Sequence, residues 1–233
     1  MATSKTRPDP LLISYMTLRK AIGFLGISIP AVMIIGTFTI GGCTQVQNSI
    51  SHYYYTVMGD AFVGFLISTG IFLICYKGYD VQDNIVSFLA GVFFICVALF
   101  PTSPNPDLGC VIRTLDNIPL RVNVHYISAA LFYLTVAYMS LFLFTKSSGL
   151  KTKQKIVRNR IYRICGFTVL VVIILIFLED YIPGLNNPNL HPTFWLECIA
   201  NLAYGTSWLV KGEFLLKDNE QTDAAHQPAN ILR

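Results

Sequence analysis

The sequence predicts an all-α membrane protein, a bundle of six transmembrane helices with the N- and C-termini cytoplasmic. Four observations lead there. Charged residues make up 13% of the 233 and the hydrophobic set 53%, whereas soluble domains carry about 25% charged residues. Mean hydropathy is +0.54, and a chain of this size has too little interior to hide that much apolar surface from water. Six apolar stretches approach the length of about 20 residues that a helix needs to cross a hydrocarbon layer near 30 Å thick. The basic residues fall almost entirely on one side of the alternating stretches. These features exclude a cytosolic enzyme, a secreted disulfide scaffold and a disordered tail protein.

In order, the expected spans are 21–40, closed by Gly41 and Gly42, and 61–76, set between Asp60 and the polar turn Lys77-Gly78-Tyr79-Asp80. The third, 85–100, is stopped by Pro101, Pro104 and Pro106, and the fourth covers 122–144. The fifth is 161–178, and the sixth, 194–216, is entered through His191-Pro192. Some apolar cores fall short of 20 residues, and rings such as Tyr53, Tyr76, Tyr126 and Trp195 complete them at the interface, where aromatic side chains prefer to sit. A single transmembrane domain is expected over 1–217, followed by a disordered cytoplasmic tail, 218–233, that contains the solvated His226. The N-terminal segment is polar through Pro10 and lacks a cleavage pattern, so the first span is expected to be a signal anchor.

Lys and Arg are retained on the cytoplasmic side of membrane proteins. With six spans, all 17 basic residues except Arg113 and Arg121 fall on the side of the termini, which is therefore cytoplasmic. The basic run 151–163 then belongs to a loop beside anionic headgroups, not to a nucleic-acid surface. The expected location is a bacterial inner membrane, with membrane lipids as partners and no nucleic acid.

The six cysteines form no CxxC pair or zinc-finger spacing. Cys75, Cys96, Cys165 and Cys198 lie within spans and read as small apolar packing residues. Cys43 and Cys110 lie in outer loops, on the oxidising side, and are candidates for a disulfide; the alternative is two unpaired loop thiols.

Ionisable residues at membrane depth are costly, so their positions point to function. Ser51 and His52 follow the first span and Asp60 opens the second. His125 and Ser128 open the fourth span, while His191 and Glu197 open the sixth. All of them fall at one level, the outer face. Ser51, His52, Asp60, His125 and Glu197 are the candidate catalytic residues of a polar pocket. His52, His125, His191 and Glu197 are candidate ligands for a divalent metal such as zinc, which binds three protein groups and a water whose pKa it lowers toward 7. Equally, Ser, Asp and Asn are ordinary helix caps, and Asp60 suits the positive end of a helix dipole.

The segments Ser49-Ile50-Ser51, His125-Tyr126-Ile127-Ser128-Ala129-Ala130-Leu131-Phe132-Tyr133 and Trp195-Leu196-Glu197 carry a resemblance. Over roughly residues 15–216 the chain resembles bacterial six-span membrane proteins of unassigned function. More distantly it resembles the damage-regulated autophagy modulator and post-GPI-attachment lipid-remodelling families. The resemblance implies six helices and a lipid-directed role for Ser51, His125 and Glu197. A looser likeness joins it to the ceramidase and progestin-receptor superfamily of membrane metal hydrolases, but the last span lacks their His-x-x-x-His pair. The expected function is recognition or modification of a lipid or lipid-linked headgroup in an outer-face pocket, possible metal assistance included; the alternative is a non-enzymatic transporter or regulatory membrane protein.

Overall fold

A computed structural model describes residues 10–104, 110–147, 152–182 and 190–216. The tail expected over 218–233 lies outside these residues. Every regular element among them is helical: α1 (Pro10–Thr39), α2 (Gly59–Cys75), α3 (Val81–Leu99), α4 (Pro119–Tyr138), α5 (Lys153–Leu178) and α6 (Pro192–Lys211). A 3-10 helix, Ile50–Tyr55, lies between α1 and α2, and a π-helical turn, Met139–Leu143, prolongs α4.

Local chemistry explains the helix starts. The side chains of Asp80 and Thr152 accept the Asp83 and Lys155 backbone N–H groups at 3.0 Å, capping α3 and α5. Pro119 and Pro192 open α4 and α6, where a missing N–H costs nothing. Four helical segments, Tyr15–Thr39, Val81–Leu99, Pro119–Leu143 and Lys153–Leu178, are long and apolar enough to cross a membrane, marking an integral membrane protein. The apolar α2 is shorter, with 17 residues. α6 has 20 residues but carries Glu197, Asn201 and Ser207 among its apolar positions, and it is not one of these four.

Each helix packs against its neighbours in sequence, and α6 returns against α1, so the six close into a ring. Ring closure rests on glycine. Gly23 of α1 and Gly205 of α6 are so close that a Cβ on Gly205 would stand 2.6 Å from the Gly23 carbonyl oxygen. Gly70 and Gly91 play the same part between α2 and α3, in keeping with the small residues that let membrane helices approach. The centre is filled by large rings: Phe94 stacks on Phe132 at 3.9 Å, and Trp208 meets Tyr76 and Phe144 edge-on. The outward faces remain apolar, with Ile35, Ile71, Phe88, Leu120, Phe167 and Phe177 all exposed.

Two helices outrun the apolar cores read from sequence. α1 starts at Pro10, so Arg19 lies inside it; its guanidinium sits over the Tyr15 ring at 4.2 Å and donates to the Lys211 carbonyl at 3.2 Å. α5 begins at Lys153 and turns Arg158 inward, 3.6 Å from Glu213. At this same end Lys146 bridges Asp80 at 2.8 Å and Asp83 at 2.7 Å. The shared hydrogen bonds lower the Asp80 pKa and raise that of Lys146. α6 stops at Lys211, five residues short of the expected limit, where the chain turns through Gly212 into positive φ at Glu213 (55°).

Candidate functional site

The opposite end of the bundle gathers most of the polar residues singled out in the sequence, and the 3-10 helix Ile50–Tyr55 is its organiser. Ser49 caps this short helix, accepting the His52 N–H at 3.3 Å and sharing a 2.6 Å hydrogen bond with His52 Nδ1. The following residues then reach three separate helices. Ser51 Oγ lies 3.0 Å from His125 Nε2 on α4. The Ile50 N–H donates to Glu197 Oε2 on α6 at 2.5 Å. Behind His125, its Nδ1 lies 2.8 Å from the Phe100 carbonyl at the end of α3.

That last contact defines the chemistry of the ring. A carbonyl oxygen only accepts, so His125 Nδ1 carries a proton. In the neutral ring Nε2 then has a free lone pair, and Ser51 donates its hydroxyl proton toward it. A hydroxyl within hydrogen-bond reach of an imidazole that is itself held by a third group is the arrangement of an activated nucleophile. His125 is 2% exposed and held on both edges. His52 lies near it: burial, with His125 as a further cause, pushes the His52 pKa down from 6.5 to about 4. His52 is thus a neutral neighbour at physiological pH.

A cavity of about 30 Å³ borders Ser51 and is lined by the polar residues Tyr133, Glu197 and Asn201 among apolar walls from Ile29, Phe62 and Phe132. Its size and its polar lining suit a water molecule. Asn201 Nδ2 donates to the Tyr133 hydroxyl at 3.0 Å and to the Glu197 carbonyl at 2.9 Å, which fixes the cavity floor.

Around this centre the connecting segments are fastened. Cys43 and Cys110 form a disulfide, with Cα atoms 5.3 Å apart. Beyond it, Ile112 N–H donates to the Tyr55 carbonyl at 2.9 Å, and the Tyr55 hydroxyl donates to the Thr102 carbonyl at 2.5 Å. His191, the cap of α6, has left-handed backbone (φ 46°) and lies 2.8 Å through Nδ1 from Asn48 Oδ1.

Of the residues singled out in the sequence, Ser51, His52, His125 and Glu197 come together through the 3-10 helix. His125 and Glu197 are connected by way of the adjacent residues Ser51 and Ile50. Ser128 is buried on α4, one turn beyond His125. Asp60 stands apart: it pairs with Arg113 at 3.1 Å, its side chain 90% exposed, as suits an acid in the first turn of α2. Ser49 and Tyr133 entered the sequence reading only as members of the quoted segments, without a role in the site, and Asn201 and the Phe100 carbonyl did not enter it. Ser49 was legible as a cap three residues before His52, and Asn201 as the residue one turn after Glu197.

The metal reading does not fit these side chains. Among the described residues no group of three or more His, Cys, Asp or Glu side chains is placed to hold a metal ion. His125 has both nitrogens engaged and His191 Nδ1 faces Asn48.

Fold and site together define the class: an integral membrane protein, helical throughout the described residues, with a Ser–His pair at one end of its bundle whose histidine is buried. No family model matches the chain, and neither a curated protein nor a solved structure matches it at a significant level.

Proposed function

We propose that this chain is a multi-pass protein of a bacterial cytoplasmic membrane, with six spans and both termini inside. At its outer end, Ser51 and His125 cleave an ester in a lipid or lipid-linked headgroup. The observation that carries this reading is the chain Ser51 Oγ, His125 Nε2, His125 Nδ1, Phe100 carbonyl, with contacts of 3.0 and 2.8 Å. The topology draws support from the charge asymmetry and from the disulfide near the dyad, since disulfides persist on the oxidising side of a membrane. The likeness to the lipid-remodelling families fits the same reading.

In the first step Ser51 Oγ attacks the ester carbonyl carbon as His125 Nε2 takes the hydroxyl proton; the C–O bond to the alcohol breaks, and His125 returns the proton to the departing oxygen. Phe100 holds the imidazole in the tautomer this requires. In the second step a water attacks the acyl-serine carbonyl, giving its proton to His125, and the carboxylic acid leaves as Ser51 recovers its proton. The cavity between Ser51 and Glu197 is a place for that water, with Glu197 and Tyr133 as its partners.

The test is release of fatty acid or headgroup from liposomes containing the purified protein. Wild type is expected to release product, while Ser51→Ala and His125→Ala lower the rate by at least about a hundredfold, the scale on which positioned acid–base groups act. Equal rates in all three would overturn the reading. One observation favours a non-enzymatic role. The same bonds clamp the 3-10 helix to α3, α4 and α6, and the Ile50 N–H beside the nucleophile is occupied by Glu197. In a purely binding protein, the two variants lose lipid binding and there is no turnover to lose.

A further inference from the structure

A second cavity has no lining residue in common with the Ser–His site. It is a groove of about 800 Å³ on the outside of the bundle, running along α5 against the first turns of α6. One end is basic, with Arg160 and Arg163 three residues apart and hence on one face of α5. The remainder is apolar, through Ile164, Phe167 and Val171 to Leu175 and Leu196. From Arg160 to Leu175 the helix rises about 22 Å, more than one leaflet of a hydrocarbon layer about 30 Å thick.

Both arginines are exposed, and neither makes a hydrogen bond or ion pair among the described residues. Their neighbour Arg158 turns the other way, toward Glu213. Asn159, 7% exposed, also lines the basic part of the groove. Its amide nitrogen donates to the Thr145 carbonyl, while Oδ1 is buried with no hydrogen-bond partner. A cationic pair at one end of a long apolar trough is the complement of one molecule. It has an anionic phosphate and acyl chains.

We infer that the α5–α6 groove is a binding site for an anionic phospholipid, held at its phosphate by Arg160 and Arg163. The acyl chains lie along Ile164, Phe167 and Val171. It shares no lining residue with the Ser–His pocket, its basic end lies at the other end of the bundle, and its occupant belongs to the leaflet on the basic side.

The test is native mass spectrometry of the delipidated full chain in detergent, with phosphatidylglycerol or phosphatidylcholine of matched chains added in turn. Wild type is expected to retain phosphatidylglycerol in clear excess over phosphatidylcholine. Each basic residue near an anionic lipid contributes about fivefold, so the Arg160→Gln/Arg163→Gln double variant is expected to lower phosphatidylglycerol retention about thirtyfold. Phosphatidylcholine retention is expected to change little. Equal retention of the two lipids by wild type overturns the inference without recourse to a variant. So does a double variant that elutes as wild type in size exclusion yet keeps its preference, or a groove closed by dimerisation of the chain in place of lipid.

Discussion

Replacing Gly205 by alanine tests the helix contact that closes the ring. The added Cβ would meet the Gly23 carbonyl oxygen at 2.6 Å and Ile27 Cγ1 at 2.5 Å. Ile27 can turn away only by leaving the χ1 rotamer that a β-branched residue strongly prefers in a helix. The carbonyl belongs to the α1 backbone and cannot, and it stands roughly 0.8 Å inside ordinary van der Waals contact. α1 and α6 must therefore separate along their crossing, an overpacking cost of about 1–3 kcal/mol. Because α6 also carries Glu197, the separation loosens the 2.5 Å bond from the Ile50 N–H that anchors the 3-10 helix. Gly64 supplies the control: it is exposed on α2, and a Cβ there meets nothing within 4 Å. Gly64→Ala is expected to leave stability unchanged or raise it by about 0.5–1 kcal/mol through the entropy of the unfolded chain. Thermal unfolding in one detergent, read by circular dichroism, compares the two. A Gly205→Ala melting temperature equal to that of wild type would refute the argument that backbone contact closes the ring.

Two further outcomes follow from the same end of the bundle. The disulfide closes a separation of 67 residues, and removing it as the pair Cys43→Ser and Cys110→Ser is expected to cost at most about 4 kcal/mol, less where α2 and α3 stay helical in the unfolded state. Reductant should lower the melting temperature of wild type and leave that of the variant unchanged; a wild type insensitive to reductant contradicts this. His52 titrates near 4 in the folded protein and 6.5 in an exposed chain, so only the unfolded state takes up its proton between those values. Stability is therefore expected to fall by on the order of 2–3 kcal/mol as pH drops from 6.5 to 4, with no further loss from this group below that. A His52→Gln variant whose stability declines as steeply over that window would count against it.

Much of the helix order was legible because apolar length is a one-dimensional signal, and so was the gathering of His125, Glu197 and Ser51 at one level, since polar residues are costly at membrane depth. Helix limits were not, because Arg19 and Arg158 lie within α1 and α5 by virtue of partners distant in sequence, the Lys211 carbonyl and Glu213. The pairing inside the site was equally hidden. His125 is oriented by the carbonyl of Phe100 and Glu197 is held by the N–H of Ile50, and a main-chain partner leaves no mark on residue type. Asp60 already suited a helix start in the sequence, being at the very opening of its span where Glu197 is not, and the fold turns it outward to Arg113.

The proposed role of Ser51 is tested most directly by a fluorophosphonate probe, which bonds to serine hydroxyls activated by a neighbouring base, followed by peptide mapping of the adduct. A single adduct on Ser51 is expected in the folded wild type, absent in Ser51→Ala and slowed at least about a hundredfold in His125→Ala. Folded protein that acquires no adduct on Ser51, or labels as fast without His125, would contradict the account.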